Sequence, residues 1–143
     1  MRVSVRLEGA KELQAAFSRM SKQVTQATAT AVRETAQELE GAVKLKIQQG
    51  PKTGRTYRRG GVVHQASAPG EAPASDTGTL LGSIYHERES DLAYVVGTRI
   101  RYAPWLEYGT SRMAARPFFR PSLEQIQPVY QGRLERIING ALS

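Results

Sequence analysis

Residues 84–98, IYHERESDLAYVVGT, read as two short strands joined by a tight turn. Ile84 to Glu89 and Leu92 to Thr98 flank Ser90-Asp91, two polar turn formers of the kind that close a hairpin. In the second strand Leu92, Tyr94 and Val96 face one way, and Ala93 and Val95 the other. Helical patterns lie on both sides of this pair in the sequence. The chain therefore reads as α+β, with a small, mainly antiparallel sheet packed against a long helix in the N-terminal half and a C-terminal helix.

Toward the N-terminus, Arg2 to Leu7 alternates Val3, Val5 and Leu7 with polar residues and predicts a half-buried strand. From Lys11 the period changes. Leu13, Ala16, Phe17, Met20 and Val24, then Ala31, Val32, Ala36, Leu39, Val43 and Ile47, recur at three and four residues and predict a short helix followed by a long one, with Ser21 as a cap between them. Whether the two are continuous is left open by the pattern. The small side chains of residues 25–31, TQATATA, fit either close approach by another helix or subunit, or a weakly amphipathic surface helix. Gly50-Pro51 ends the long helix.

Residues 49–79 then carry repeated Gly and Pro without sustained apolar periodicity, and read as a flexible arm that a partner orders, with Val62-Val63 as a short strand of a projecting hairpin. Asp76 is placed to cap a short helix over residues 77–83, with Leu80, Leu81 and Ile84 turned inward. Toward the C-terminus, Pro104 starts a helical turn over residues 102–108 that Gly109 stops. Pro121 starts a last helix striped with Leu123, Ile126, Tyr130, Leu134, Ile137 and Ile138, in which Pro128 predicts a kink or break.

At 143 residues the expectation is one domain over residues 1–143. Hydrophobic residues at 40% and charged residues at 23% exclude a wholly disordered chain. The absence of cysteine excludes disulfides, thiolate metal sites and a Cys nucleophile. No run approaches the ~20 apolar residues that span a bilayer, and MRVSVRLEG lacks a secretory apolar core, so neither membrane anchoring nor export is expected. The net charge of +7 is local: residues 44–60 contribute +6, residues 99–120 contribute +4, and the remainder −3. Such clusters attract phosphate or acidic protein surfaces alike, or merely solubilise a face.

The second basic cluster overlaps YAPWLEYGTSRMAARPFFRP, residues 102–121, which holds five of the ten aromatic side chains and suits a rigid docking surface. Its order resembles the signature of the tail-completion family of lambdoid long-tailed bacteriophages. The central stretch resembles the same family: PKTGRTYRR at 51–59, HQASAPGEAP at 64–73 and DTGTL at 76–80. That resemblance implies a non-enzymatic virion structural protein without cofactors, made in the bacterial cytoplasm and built into the neck that joins head to tail. It implies a homohexameric ring whose neighbours are the connector or stopper, tail terminator and tail tube, with DNA in the channel. The residues it marks as subunit or partner contacts are Lys52, Arg55, Tyr57, Arg58 and Arg59 in the arm, with Tyr102, Trp105, Glu107, Tyr108, Arg112, Phe118, Phe119 and Arg120 in the aromatic stretch.

Within that stretch, a buried carboxylate at Glu107 needs a partner, and Arg112, Arg116 or Arg120 are near enough to form an ion pair that locks the aromatic turn to residues 117–121. The other reading leaves Glu107 on the turn's exposed side. A basic nucleic-acid-binding module is the alternative function, with Lys52, Arg55, Arg58 and Arg59 on phosphates and Tyr57 stacked on a base. Catalysis has little to stand on. His64 and His86 lack metal-ligand spacing, a triad of His64, Ser67 and Glu71 would lack a rigid frame, and Glu87 and Glu89 read as a solvated strand face.

Overall fold

The computed structural model describes residues 3–11, 14, 22–74 and 78–142. Most of the short helix expected from Lys11 to Met20, and the caps at Ser21 and Asp76, lie outside them. In chain order the elements are β1 (Val3–Leu7), α1 (Lys22–Gln49), β2 (Thr56–Arg59), β3 (Val62–Gln65), α2 (Thr79–Ser83), β4 (Tyr85–Ser90), β5 (Ala93–Thr98), α3 (Ala103–Tyr108) and α4 (Arg120–Leu142). The fold is α+β, with small antiparallel sheets packed against long helices.

The three-stranded sheet has the order β1-β5-β4, both pairings antiparallel, with Val5 opposite Val96 and Glu87 opposite Val95. The hairpin turn falls at Asp91-Leu92, one residue later than expected. Ser90 closes it by accepting the Leu92 N–H on its hydroxyl at 3.3 Å. Because β5 is central, all six of its residues are buried. Tyr94 and Val96 join the core against α1, while Val95 is sheltered differently. Arg6 on β1 reaches Glu89 on β4 at 2.6 Å, bridging the two edge strands, and Arg99 holds Glu87 at 3.1 Å while lying 4.3 Å above the Tyr85 ring. Glu87 and Glu89 do share an exposed face, and the arginines paired with them roof the middle strand.

Helix α1 buries Val32, Ala36, Leu39, Val43 and Ile47 completely, the i, i+4, i+7 stripe of an amphipathic helix. Helix α4 packs along α1, and a cleft between them is lined by Gln26, Ala27, Thr30 and Ala31 on one side and Arg133 and Ile137 on the other. Arg133 of α4 donates to Thr35 Oγ1 at 2.9 Å and to Glu38 Oε1 at 2.5 Å, and the carboxylate raises its pKa above the ordinary arginine value. The expected break at Pro128 does not occur: α4 runs through it. One missing N–H bond costs about 3 kcal/mol, and burial of Ile126 and Tyr130 on the same helix outweighs it.

Residues 49–74 contain the hairpin expected around Val62-Val63. Strands β2 and β3 form a hairpin around Gly60-Gly61, whose φ values of +58° and +80° suit the primed turns that match strand twist. Glu71 gathers the base: its carboxylate accepts the Thr53 N–H at 2.9 Å, the Thr53 hydroxyl at 2.6 Å and the Ala68 N–H at 2.8 Å. Gly70 N–H then donates to Ala115 O at 2.9 Å, tying the hairpin's return to the segment after α3.

Candidate docking surface

Helix α3 is six residues long, and its two sides differ in kind. Ala103, Pro104 and Glu107 are buried, whereas Tyr102, Trp105 and Tyr108, spaced three apart, are 39%, 55% and 74% exposed. Three-residue spacing sets these rings along one outward side. The helix stops at Gly109, whose φ of +75° and close approach to Ala115 N and Met113 O leave no room for a side chain.

Glu107 fixes the orientation of that face. Its Oε2 accepts the N–H groups of Phe118 at 2.8 Å and Phe119 at 3.0 Å, and its Oε1 accepts the Arg120 N–H at 2.8 Å. The expected lock is therefore present but its chemistry is corrected. Among the described residues no arginine side chain pairs with Glu107; the carboxylate binds the free N–H groups at the start of α4, where the helix dipole favours negative charge. The exposed alternative is overturned as well, since Glu107 is 5% exposed. Arg116 contributes its backbone, its N–H donating to Leu106 O at 2.6 Å.

The remaining site residues divide by exposure. Phe118 and Phe119 belong to the core, with ring centroids 5.0 Å apart, and offer no surface in this protomer. Arg112 and Arg120 are exposed, the latter beside Glu124 at 3.5 Å. In the hairpin Arg55, Arg58 and Arg59 are exposed, and Tyr57 is stacked on His64 with centroids 5.6 Å apart. Lys52 is only partly exposed: its ammonium donates to Gly50 O at 3.0 Å and Ala72 O at 3.3 Å, and burial lowers its pKa. Lys52 is thus a brace under the hairpin. A cleft of about 240 Å³ separates Tyr57 and Ser67 at the hairpin base from Tyr102 and Arg116, so the two surface features are neighbours.

Val62 and Val63, expected as a strand of a projecting hairpin, lie on β3 and are 58% and 56% exposed. Sequence reasoning missed one contributor: Glu71, weighed only as a triad member, clamps the hairpin. Hydrogen bonds from Ala68 N–H and from Thr53 hold its carboxyl below the usual value.

The catalytic candidates are engaged elsewhere. Ser67 is buried, Glu71 is taken by Thr53 and Ala68, and His64 lies against Tyr57. His86 Nδ1 bonds Glu40. Burial pushes the Glu40 carboxyl up, and the bonds from His86 and Lys44 outweigh it, leaving the pKa lowered. Among the described residues no group of three His, Asp or Glu side chains is placed to hold a metal, and no helix is long and apolar enough to cross a membrane.

No curated protein and no solved structure matches the chain. Residues 11–109, more than half of its length and inclusive of the hairpin and α3, match the family described as "Bacteriophage HK97-gp10, putative tail-component". With that match spanning both surface features, the chain belongs to the HK97-gp10-like family of phage tail components.

Proposed function

We propose that the protein completes or stabilises the head–tail joint in the phage neck as a ring of identical copies, each a single domain over residues 1–143. The observation that carries this reading is the β2–β3 hairpin, in which every residue but His64 is classed as exposed, Val62 and Val63 included. A two-stranded ribbon is marginal in water by itself, and exposed valines on it favour a partner surface. The aromatic face of α3 supplies a second contact of the type enriched at interfaces. Membership in a tail-component family supports the setting. Head-to-tail contacts of this kind close into a ring when the rotation permits, and six copies match the symmetry implied by the resemblance.

Mass photometry and electron microscopy of the full chain, alone and with connector, terminator and tube proteins, test this. Six-membered annuli are expected, and replacing residues 56–65 by a short Gly-Ser link should abolish them. A protein that stays monomeric at every concentration and binds none of those partners overturns the proposal. The exposed Arg55 and Arg58 support a second reading, contact with DNA in the channel. Duplex binding by the isolated protein that weakens steeply with salt would favour it.

A further inference from the structure

We propose that the aromatic face of α3 holds an acidic segment of a different virion protein, one that also carries aliphatic side chains, with Arg101, Arg112 and Arg116 receiving its carboxylates. The inference rests on the neck reading above for its setting and gives this surface a partner of stated chemistry.

Glu107 leaves these cations unspent. Both of its oxygens are taken by the backbone N–H groups of Phe118, Phe119 and Arg120, so no arginine side chain among the described residues is used to balance it. It is also the only acid in residues 99–123, and it is buried, so the surface of that stretch is cationic. Two arginines there are engaged, Arg99 with Glu87 at 3.1 Å and Arg120 with Glu124 at 3.5 Å. Arg101 and Arg112 are exposed, and among the described residues their side chains have no partner.

Arg116 adds an independent observation. It lines the cleft of about 240 Å³ beside Tyr102 and Leu106, and among the described residues it is the only charged one there. Its guanidinium meets one weak acceptor, Met113 Sδ at 3.9 Å, and its Nε is buried without any. A buried donor left unsatisfied is costly, and a carboxylate is an acceptor whose geometry a guanidinium matches.

The rings decide the class of partner. Trp105 and Tyr108 keep most of their surface in water beside these cations, at 55% and 74% exposed. The outside of a DNA duplex answers the charge with phosphates but offers the rings little apolar surface. A protein segment that mixes acidic and aliphatic residues answers both. A second copy of this chain fits poorly. It carries the same net charge of +7, and its Glu38, Glu87, Glu89, Asp91 and Glu124 already lie beside arginines.

Trp105, the sole tryptophan, reads the test directly. Short overlapping peptides tiled across the connector, terminator and tube proteins, and across this chain, are titrated into the full-length protein while its emission is followed. Peptides that bind with a blue shift should combine several Asp or Glu residues with aliphatic ones, and changing those acids to Asn and Gln should weaken binding at least about tenfold. Arg101→Gln with Arg112→Gln should weaken it by about tenfold as well. Arg33→Gln with Arg136→Gln, which removes the same charge from exposed positions on α1 and α4, should leave it unchanged. Neutral or basic peptides that bind as tightly, binding that leaves Trp105 unmoved, binding confined to peptides of this chain, a duplex oligonucleotide preferred to every peptide, or no bound peptide at all each overturn the inference. The ring reading is judged separately by electron microscopy. Annuli without an acidic peptide bound leave that reading standing, and an acidic peptide bound by a protein that never forms annuli leaves this inference standing without it.

Discussion

Glu107 is a single carboxylate doing the work of a helix cap from outside the helix. Three N–H groups at the start of α4 converge on it within 3.0 Å. In Glu107→Gln the amide would place an N–H₂ group against at least one of those donors. The expected loss is about 2 kcal/mol, seen as a fall of several degrees in Tm; unchanged melting would dismiss the cap. Arg116→Lys, which keeps the backbone contact, should leave the cap intact. The sequence showed that Glu107 needed a partner but not which one, because a backbone N–H is present at every residue except proline and marks no position. Glu71 was hidden for the same reason. Its carboxyl is held below the usual range by Ala68 and Thr53, so its contribution is fully present above the ordinary value of about 4.3 and is lost as pH falls through its lower folded value. The Thr53 and Ala68 amide resonances should therefore hold steady down to about pH 4 and move together below it; a transition near neutrality would contradict the clamp.

At the scale of elements, periodicity recovered what it measures. The alternation of Val3, Val5 and Leu7 and the stripe from Val32 to Ile47 correspond to β1 and α1, because burial on one face writes its own period into the chain. Burial of Val95 was not legible. It depends on Arg6 and Glu89, which meet across the sheet from 83 residues apart. The hairpin expected at Val62-Val63 was legible, but its partner strand β2 was not, because neither face of a solvated hairpin carries an apolar stripe. At Pro128 the helix does not break, since the packing of Tyr130 and Ile126 on the same helix offsets the local penalty. Relieving the penalty should be measurable: Pro128→Ala is expected to stabilise the protein by about 1–3 kcal/mol, read as a higher denaturant midpoint at unchanged m-value. A lower midpoint would mean that the proline ring itself packs.

For the whole molecule, two features that lie far apart in the sequence, the basic hairpin and the aromatic helix, lie on either side of one cleft. The family assignment was legible from those same two stretches, whereas the split between exposed rings and buried Phe118 and Phe119 needed the fold. Trp105 is the sole tryptophan and is 55% exposed, so it reports on this surface without labelling. Its emission should shift to the blue when copies or neck partners assemble. Trp105→Ala should alter the monomer's stability by no more than about 0.5 kcal/mol while weakening assembly. A red emission that persists in the assembled state would remove α3 from the contact. The grip of Glu107 on residues 118–120 also has a mechanical consequence. Tension applied along α4 cannot be absorbed by slack in the connecting loop; it passes through one carboxylate into the helix that bears the three rings, so a tug at one end of the protein is felt at its aromatic face.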